Sequence, residues 1–140
     1  MGYTQCRIDQ IYGSAYIAAQ YLKEKCPDIN KVRVIGMNSI RKELKEVGIE
    51  SVGGQDLEGY DDGKMDFSQF EKASVDPEIK AVVVGLDTEF TYSKLALASL
   101  YIQAGAKFIA TNDDAYDNIN GRKMPGAGAM VYSIQTSLKN

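Results

Sequence analysis

The chain has 140 residues, 44% of them apolar and 25% charged, the size of one globular domain with a real core. Its net charge is −3 and it holds no basic run that could track a phosphate backbone, so nucleic acid is not an expected partner. No apolar stretch approaches the ~20 residues of a membrane span and residues 1–5 lack the apolar core of a signal peptide, so the expectation is a cytoplasmic protein with no membrane partner. There is no histidine, which removes Ser-His-Asp hydrolysis, histidine acid catalysis and histidine-ligated zinc together. Cys6 and Cys26 are too few for a disulfide scaffold and read as two reduced thiols.

In chain order, residues 14–25 carry Ala15, Ala18, Ala19 and Leu22 at helical spacing and end before Pro27, which predicts a first helix. Tyr16 and Tyr21 lie on it and are expected to pack in the core. Residues 32–35 are a β-branched run closed by Gly36. Asn38 or Ser39 then caps a helix through Val47, with Gly48 at its C-terminal end, and residues 49–52 resume as strand. After a polar loop over residues 53–63, Asp66 and Gln69 have capping-box spacing for a short helix. Residues 81–84 are apolar without alternation, as in a strand buried on both faces. A helix over residues 92–104, with Leu97, Leu100, Tyr101 and Ala104 on one face, ends at Gly105 before a strand over residues 107–110. The runs 23–25 and 41–46 read as solvated charged helix faces. Two strand-helix-strand units in tandem predict an α/β fold, a mainly parallel β-sheet with helices packed over it.

In open α/β sheets, ligands are met where strands end and loops lead into helices. Asp87, Thr88 and Glu89 sit at such an edge, as do residues 36–39 and Thr111, Asn112, Asp113 and Asp114. The same polar residues also serve as turn formers and caps, with Thr91 as the cap of the following helix. Pro125-Gly126-Ala127-Gly128 precedes an apolar segment. It reads first as close backbone packing or a hinge and second as a helix start that presents amides to phosphate.

The segments IYGSAYIAAQYLK, KVRVIG, IRKELKEVGIESVGG, AVVVGLDTEFTYSKL, FIATNDDA and GRKMPGAGAM stand in an order and at spacings that resemble the haloacid dehalogenase superfamily. The likeness is to its 4-nitrophenylphosphatase, phosphoglycolate phosphatase and pyridoxal phosphatase branch, and runs from about Ile11 to Leu138. Such enzymes carry an Asp-x-Asp nucleophile and acid pair, a phosphate-holding Ser or Thr, a Lys, and acidic residues for Mg²⁺. This sequence has no Asp-x-Asp. The resemblance therefore implies that residues 1–140 are a single cap of the C2 type, with residues 1–25 and 126–140 close to the junctions with a catalytic core. It also implies a nucleophile expected upstream of Met1 and a Gly-Lys-Pro block expected after Asn140. The core binds Mg²⁺, so no catalytic residue, metal ligand or phosphatase activity is expected in this stretch alone.

The resemblance further implies that the loop after residues 81–84 reads the leaving group of a small phosphorylated substrate. With the strand-end position, it names Asp87, Thr88, Glu89, Phe90, Tyr92, Asn112 and Asp113 as substrate-binding residues. Phe90 is expected to bury its ring while Glu89 projects. Relatives often have histidine where Glu89 stands, and glutamate disfavours an anionic leaving group. A homodimer through the cap is also implied. The alternatives from other classes are a free-standing small-molecule or nucleotide-binding module and a homodimerisation module.

Overall fold

Ser14 sits in extended backbone and its hydroxyl accepts a hydrogen bond from the Ile17 N–H at 3.2 Å, so it caps the first expected helix rather than lying within it. This computed structural model describes residues 10–53 and 67–139; Cys6, Asp66 of the expected capping box and most of the loop after Gly53 lie outside them. Strand β1 (Gln10–Ile11) precedes helix α1 (Ala15–Lys25), which turns Ala18, Ala19 and Leu22 inward. Tyr16 is 57% exposed, which corrects the expectation of core packing. It lies about 110° round the helix from the middle of the stripe of Ala18, Ala19 and Leu22, off the buried face. Tyr21 is half-buried, its ring centroid 5.0 Å from that of Tyr12. Cys26, just past the helix, is a free, buried thiol.

The chain continues through β2 (Lys31–Ile35), α2 (Asn38–Glu46), β3 (Glu50–Gly53), α3 (Phe67–Lys72), β4 (Ala81–Val84), α4 (Tyr92–Gln103) and β5 (Lys107–Ala110). The first five strands form one sheet in the order β1-β5-β4-β2-β3, and every pairing is parallel. Alternation across the pleat explains why β4 is apolar throughout. Ala81 and Val83 join a core with Val32, Val34 and Ile109 under α1 and α2. Val82 and Val84 join a second core with Ile35, Phe108 and Ala110 under α4 and α5 (Ala127–Ser137). Burying each valine side chain contributes roughly 1.5–3 kcal/mol.

Between β5 and α5 stands a hairpin of β6 (Tyr116–Ile119) and β7 (Arg122–Pro125), all of whose strand residues are exposed. Asn120 (φ 50°) and Gly121 (φ 77°) turn it in the left-handed region, as a two-residue hairpin loop requires. Neither this hairpin nor β1 follows from the periodicity above. β1 has two residues, too few for a period, whereas the Asn-Gly pair was a local signal for the hairpin.

The amino-terminal side of the sheet is tied by Lys31, whose Nζ donates to Asp76 Oδ2 at 2.8 Å. This hydrogen bond raises the pKa of Lys31 and lowers that of Asp76. The Asp76 contribution is present above its unfolded pKa and lost as pH falls through the depressed folded value; the Lys31 contribution is present below its unfolded pKa and lost as pH rises through the raised one. Asp76→Asn should therefore be less stable than the parent at neutral pH, with the gap closing as pH falls below the ordinary carboxylate range and as it rises above the ordinary lysine range. Urea denaturation across that range measures it. A gap independent of pH would show that the contact is not ionic.

Candidate functional site at the carboxyl ends of the strands

From β2 the chain moves outward to β3 and then returns to place β4 on the other side of β2. The helices that follow β2 and β4 leave towards opposite faces, so their loops part over the crevice between the two strand ends. Backbone bonds join the loops there: Gly85 N–H to the Ile35 carbonyl at 2.8 Å, Met37 N–H to the Leu86 carbonyl at 3.1 Å, and Thr111 N–H to the Val84 carbonyl at 2.9 Å. A Cβ on Gly85 would meet Ile40 Cδ1 at 2.7 Å and Thr111 Oγ1 at 2.8 Å, so any larger residue there must displace these two side chains. The bond to Leu86 also sets the start of α2. Met37 is held extended (φ −75°, ψ 162°) and is the N-cap without a side-chain bond, which corrects the expected cap at Asn38 or Ser39.

Residues 85–91 form the central loop. Asp87 is 1% exposed, and its carboxylate faces into the protein rather than towards a ligand. Its Oδ1 accepts from the Glu89 N–H at 2.9 Å and its Oδ2 from Lys94 Nζ at 2.9 Å; Lys94 Nζ also donates to the Glu89 carbonyl at 2.9 Å. Thr91 caps α4 as predicted, its Oγ1 accepting from the Lys94 N–H at 3.2 Å. Thr88 and Glu89 are exposed, while Phe90 is half-buried against the core under α4 and α5, a partial anchor where a fully buried ring was expected. Tyr92 is 58% exposed and meets Phe67 and Phe70 edge-on at 6.1 and 5.9 Å, beside a cavity of about 280 Å³ also lined by Leu95 and Leu100. Lys94 was absent from the expected set. The available signal was its place on the stripe Lys94, Leu97, Ala98, Tyr101, whose other members are core residues at helical spacing.

The loop after β5 is internally bonded. Thr111 Oγ1 donates to Asn112 Oδ1 at 3.0 Å, Asn112 Nδ2 to Asp114 Oδ2 at 2.9 Å, and Tyr132 Oη from α5 to Asp113 Oδ2 at 2.9 Å. The bond to Asp113 raises the pKa of the Tyr132 phenol. Asn112 and Asp113 are thus half-buried loop organisers with edges left open. Gly128 and Gly126 belong to the same packing: Gly128 N–H donates to the Asp114 carbonyl at 2.8 Å and Gly126 N–H to the Ala115 carbonyl at 3.1 Å. A Cβ on either glycine would strike that loop backbone. The G-x-G therefore serves close packing, the first of its two readings.

The outward rim of these loops carries Glu89 and Asp114, with Asp113 half-buried beside them. The one cation of residues 85–95, Lys94, has a side chain only 1% exposed. Acidic side chains at such an edge disfavour an anionic ligand group there. Among the described residues, no three or more Cys, Asp or Glu gather so as to hold a metal ion. Among them, too, no helix is long and apolar enough to cross a membrane.

The domain is parallel α/β with a polar loop at the switch point of its sheet, the place where open α/β sheets meet ligands. No protein-family model matches the chain. It is 36% identical to the 4-nitrophenylphosphatase of Schizosaccharomyces pombe over 131 residues, which cover 91% of this chain and 43% of that protein. It is 37% identical to phosphoglycolate phosphatase 2 of Arabidopsis thaliana over 141 residues, 96% of this chain and 45% of that one. The crystal structure of a glycerol phosphate phosphatase from Mycobacterium tuberculosis in complex with magnesium matches with a TM-score of 0.66 and 28% identity, over 89% of this chain and 32% of that one. The chain is homologous to 4-nitrophenylphosphatases and phosphoglycolate phosphatases of the haloacid dehalogenase superfamily. It spans less than half the length of the relatives it matches.

Proposed function

We propose that this chain is the substrate-specificity cap of a magnesium-dependent phosphatase that hydrolyses small phosphate monoesters. The observation that carries the reading is the match to phosphatases over about nine-tenths of a sequence that itself has no Asp-x-Asp. Phosphoryl transfer is mainly positioning and charge stabilisation at phosphorus, and a catalytic core can do this alike for every substrate. A domain that closes over the core excludes water and reads the leaving group. On this reading residues 1–140 form one cap, residues 1–25 and 126–140 lie near its junctions with the core, and magnesium belongs to the core. Thr88, Glu89 and Tyr92 supply the exposed groups, and Asn112 and Asp113 the second edge. The acidic rim favours a neutral or cationic leaving group over an anionic one.

The test has two arms. Alone, the chain should show no cleavage of 4-nitrophenyl phosphate in excess magnesium. Exchanged for the matching segment of the fission-yeast 4-nitrophenylphosphatase, it should keep magnesium-dependent hydrolysis and change the ranking of leaving groups. Turnover by the isolated chain that a single substitution within it abolishes would overturn the reading, as would a chimera whose ranking is that of the parent.

A further inference from the structure

We infer that Asp87 and Lys94 are a positioning pair, which holds the backbone of residue 89 from both sides so that the Glu89 carboxylate is offered from one fixed place. This rests on reading residues 85–92 as the loop that meets the leaving group. The two side chains of the pair are 0% and 1% exposed, for Asp87 and Lys94 respectively. Asp87 Oδ1 accepts from the Glu89 N–H and Lys94 Nζ donates to the Glu89 carbonyl, each at 2.9 Å, while Lys94 Nζ donates to Asp87 Oδ2 at 2.9 Å and closes the circuit. The turn is completed by Phe90 N–H on the Asp87 carbonyl at 3.3 Å. Thr91 fixes the backbone from which Lys94 starts.

Stability alone does not account for an ion pair here. Apolar residues of similar volume often serve a fold as well as a buried pair does, and the neighbours Leu86, Phe90 and Leu97 are apolar. The pair adds direction, because the bonds from Asp87 and Lys94 to the N–H and carbonyl of residue 89 hold the one residue of the turn whose side chain is exposed and charged. A carboxylate on a loose turn swings away from an approaching anion at little cost; on a fixed backbone it cannot, and discrimination by charge becomes sharp.

The double variant Asp87→Asn/Lys94→Met removes both charges, leaves no lone buried ion, and keeps an Oδ1 acceptor. In the chain as it stands, amide exchange at Glu89 and Phe90 should then rise about tenfold or more relative to the amides of Val82, Val83 and Val84, which report the sheet. Asp87→Asn alone keeps the same acceptor, should give a rise of a few fold, and serves if the double variant does not fold. Unchanged exchange at Glu89 in a folded variant overturns the inference. In the yeast chimera, the double variant should narrow the ratio of KM between anionic and neutral leaving groups by about tenfold. If Glu89→Gln shifts that ratio and the double variant does not, the pair is merely structural and the cap reading stands. If neither shifts it, the loop does not meet the leaving group and this inference falls, while the ranking of the chimera itself decides the cap reading.

Discussion

Replacing Lys94 alone by methionine should destabilise the chain by about 3–5 kcal/mol, the cost of leaving one partner of a buried pair without the other. Asp87 has no exposed side-chain surface, so its carboxylate cannot turn to water without opening the loop. Methionine fills most of the volume of the lysine stem, so the loss reports the missing ammonium rather than a cavity. A domain of this size typically has about 5–15 kcal/mol of stability, and the substitution removes a large share of it. Lys31→Met should cost far less, because the Lys31 and Asp76 side chains are 20% and 34% exposed and share their charges with solvent. Urea denaturation of both variants measures the contrast. A loss at Lys94 below about 1 kcal/mol would mean that water reaches Asp87 in the folded state.

Glu89→His should leave stability within about 0.5 kcal/mol of the parent, since the side chain is exposed, yet change what a chimeric phosphatase selects. Removing the negative charge should move the ratio of kcat/KM towards anionic leaving groups by about 1–3 kcal/mol, roughly 5–150-fold, if the side chain touches the leaving group. The shift should grow as pH falls through about 6.5, where the new imidazole takes up a proton and becomes cationic. Equal changes for anionic and neutral substrates, or no change, would reduce the loop to a turn.

The elements on which this site stands were legible in the residue pattern because their causes are local. Ala81, Val82, Val83 and Val84 are four consecutive apolar residues, three of them β-branched, which favours a strand covered on both faces. The hydroxyls of Ser14 and Thr91 reach amides three residues on, and Gly48 and Gly105 close helices within a turn of backbone, with positive φ. The homology to phosphatases was legible too, through an ordered set of such segments. What the pattern could not decide was which members of a polar run face outward. Asp87, Thr88 and Glu89 are three polar residues at a strand end, where neither the period of a strand nor that of a helix applies. Only Lys94, carried inward seven residues later by the apolar stripe of α4, turns Asp87 into the interior and leaves Glu89 outside. Met37 displaced Asn38 as the cap of α2 because the carbonyl of Leu86, from a loop nearly fifty residues away, holds it extended. Caps and periods are set by dihedral angles and neighbours within a turn; the partner of a buried polar group is set by whatever other element folding brings against it.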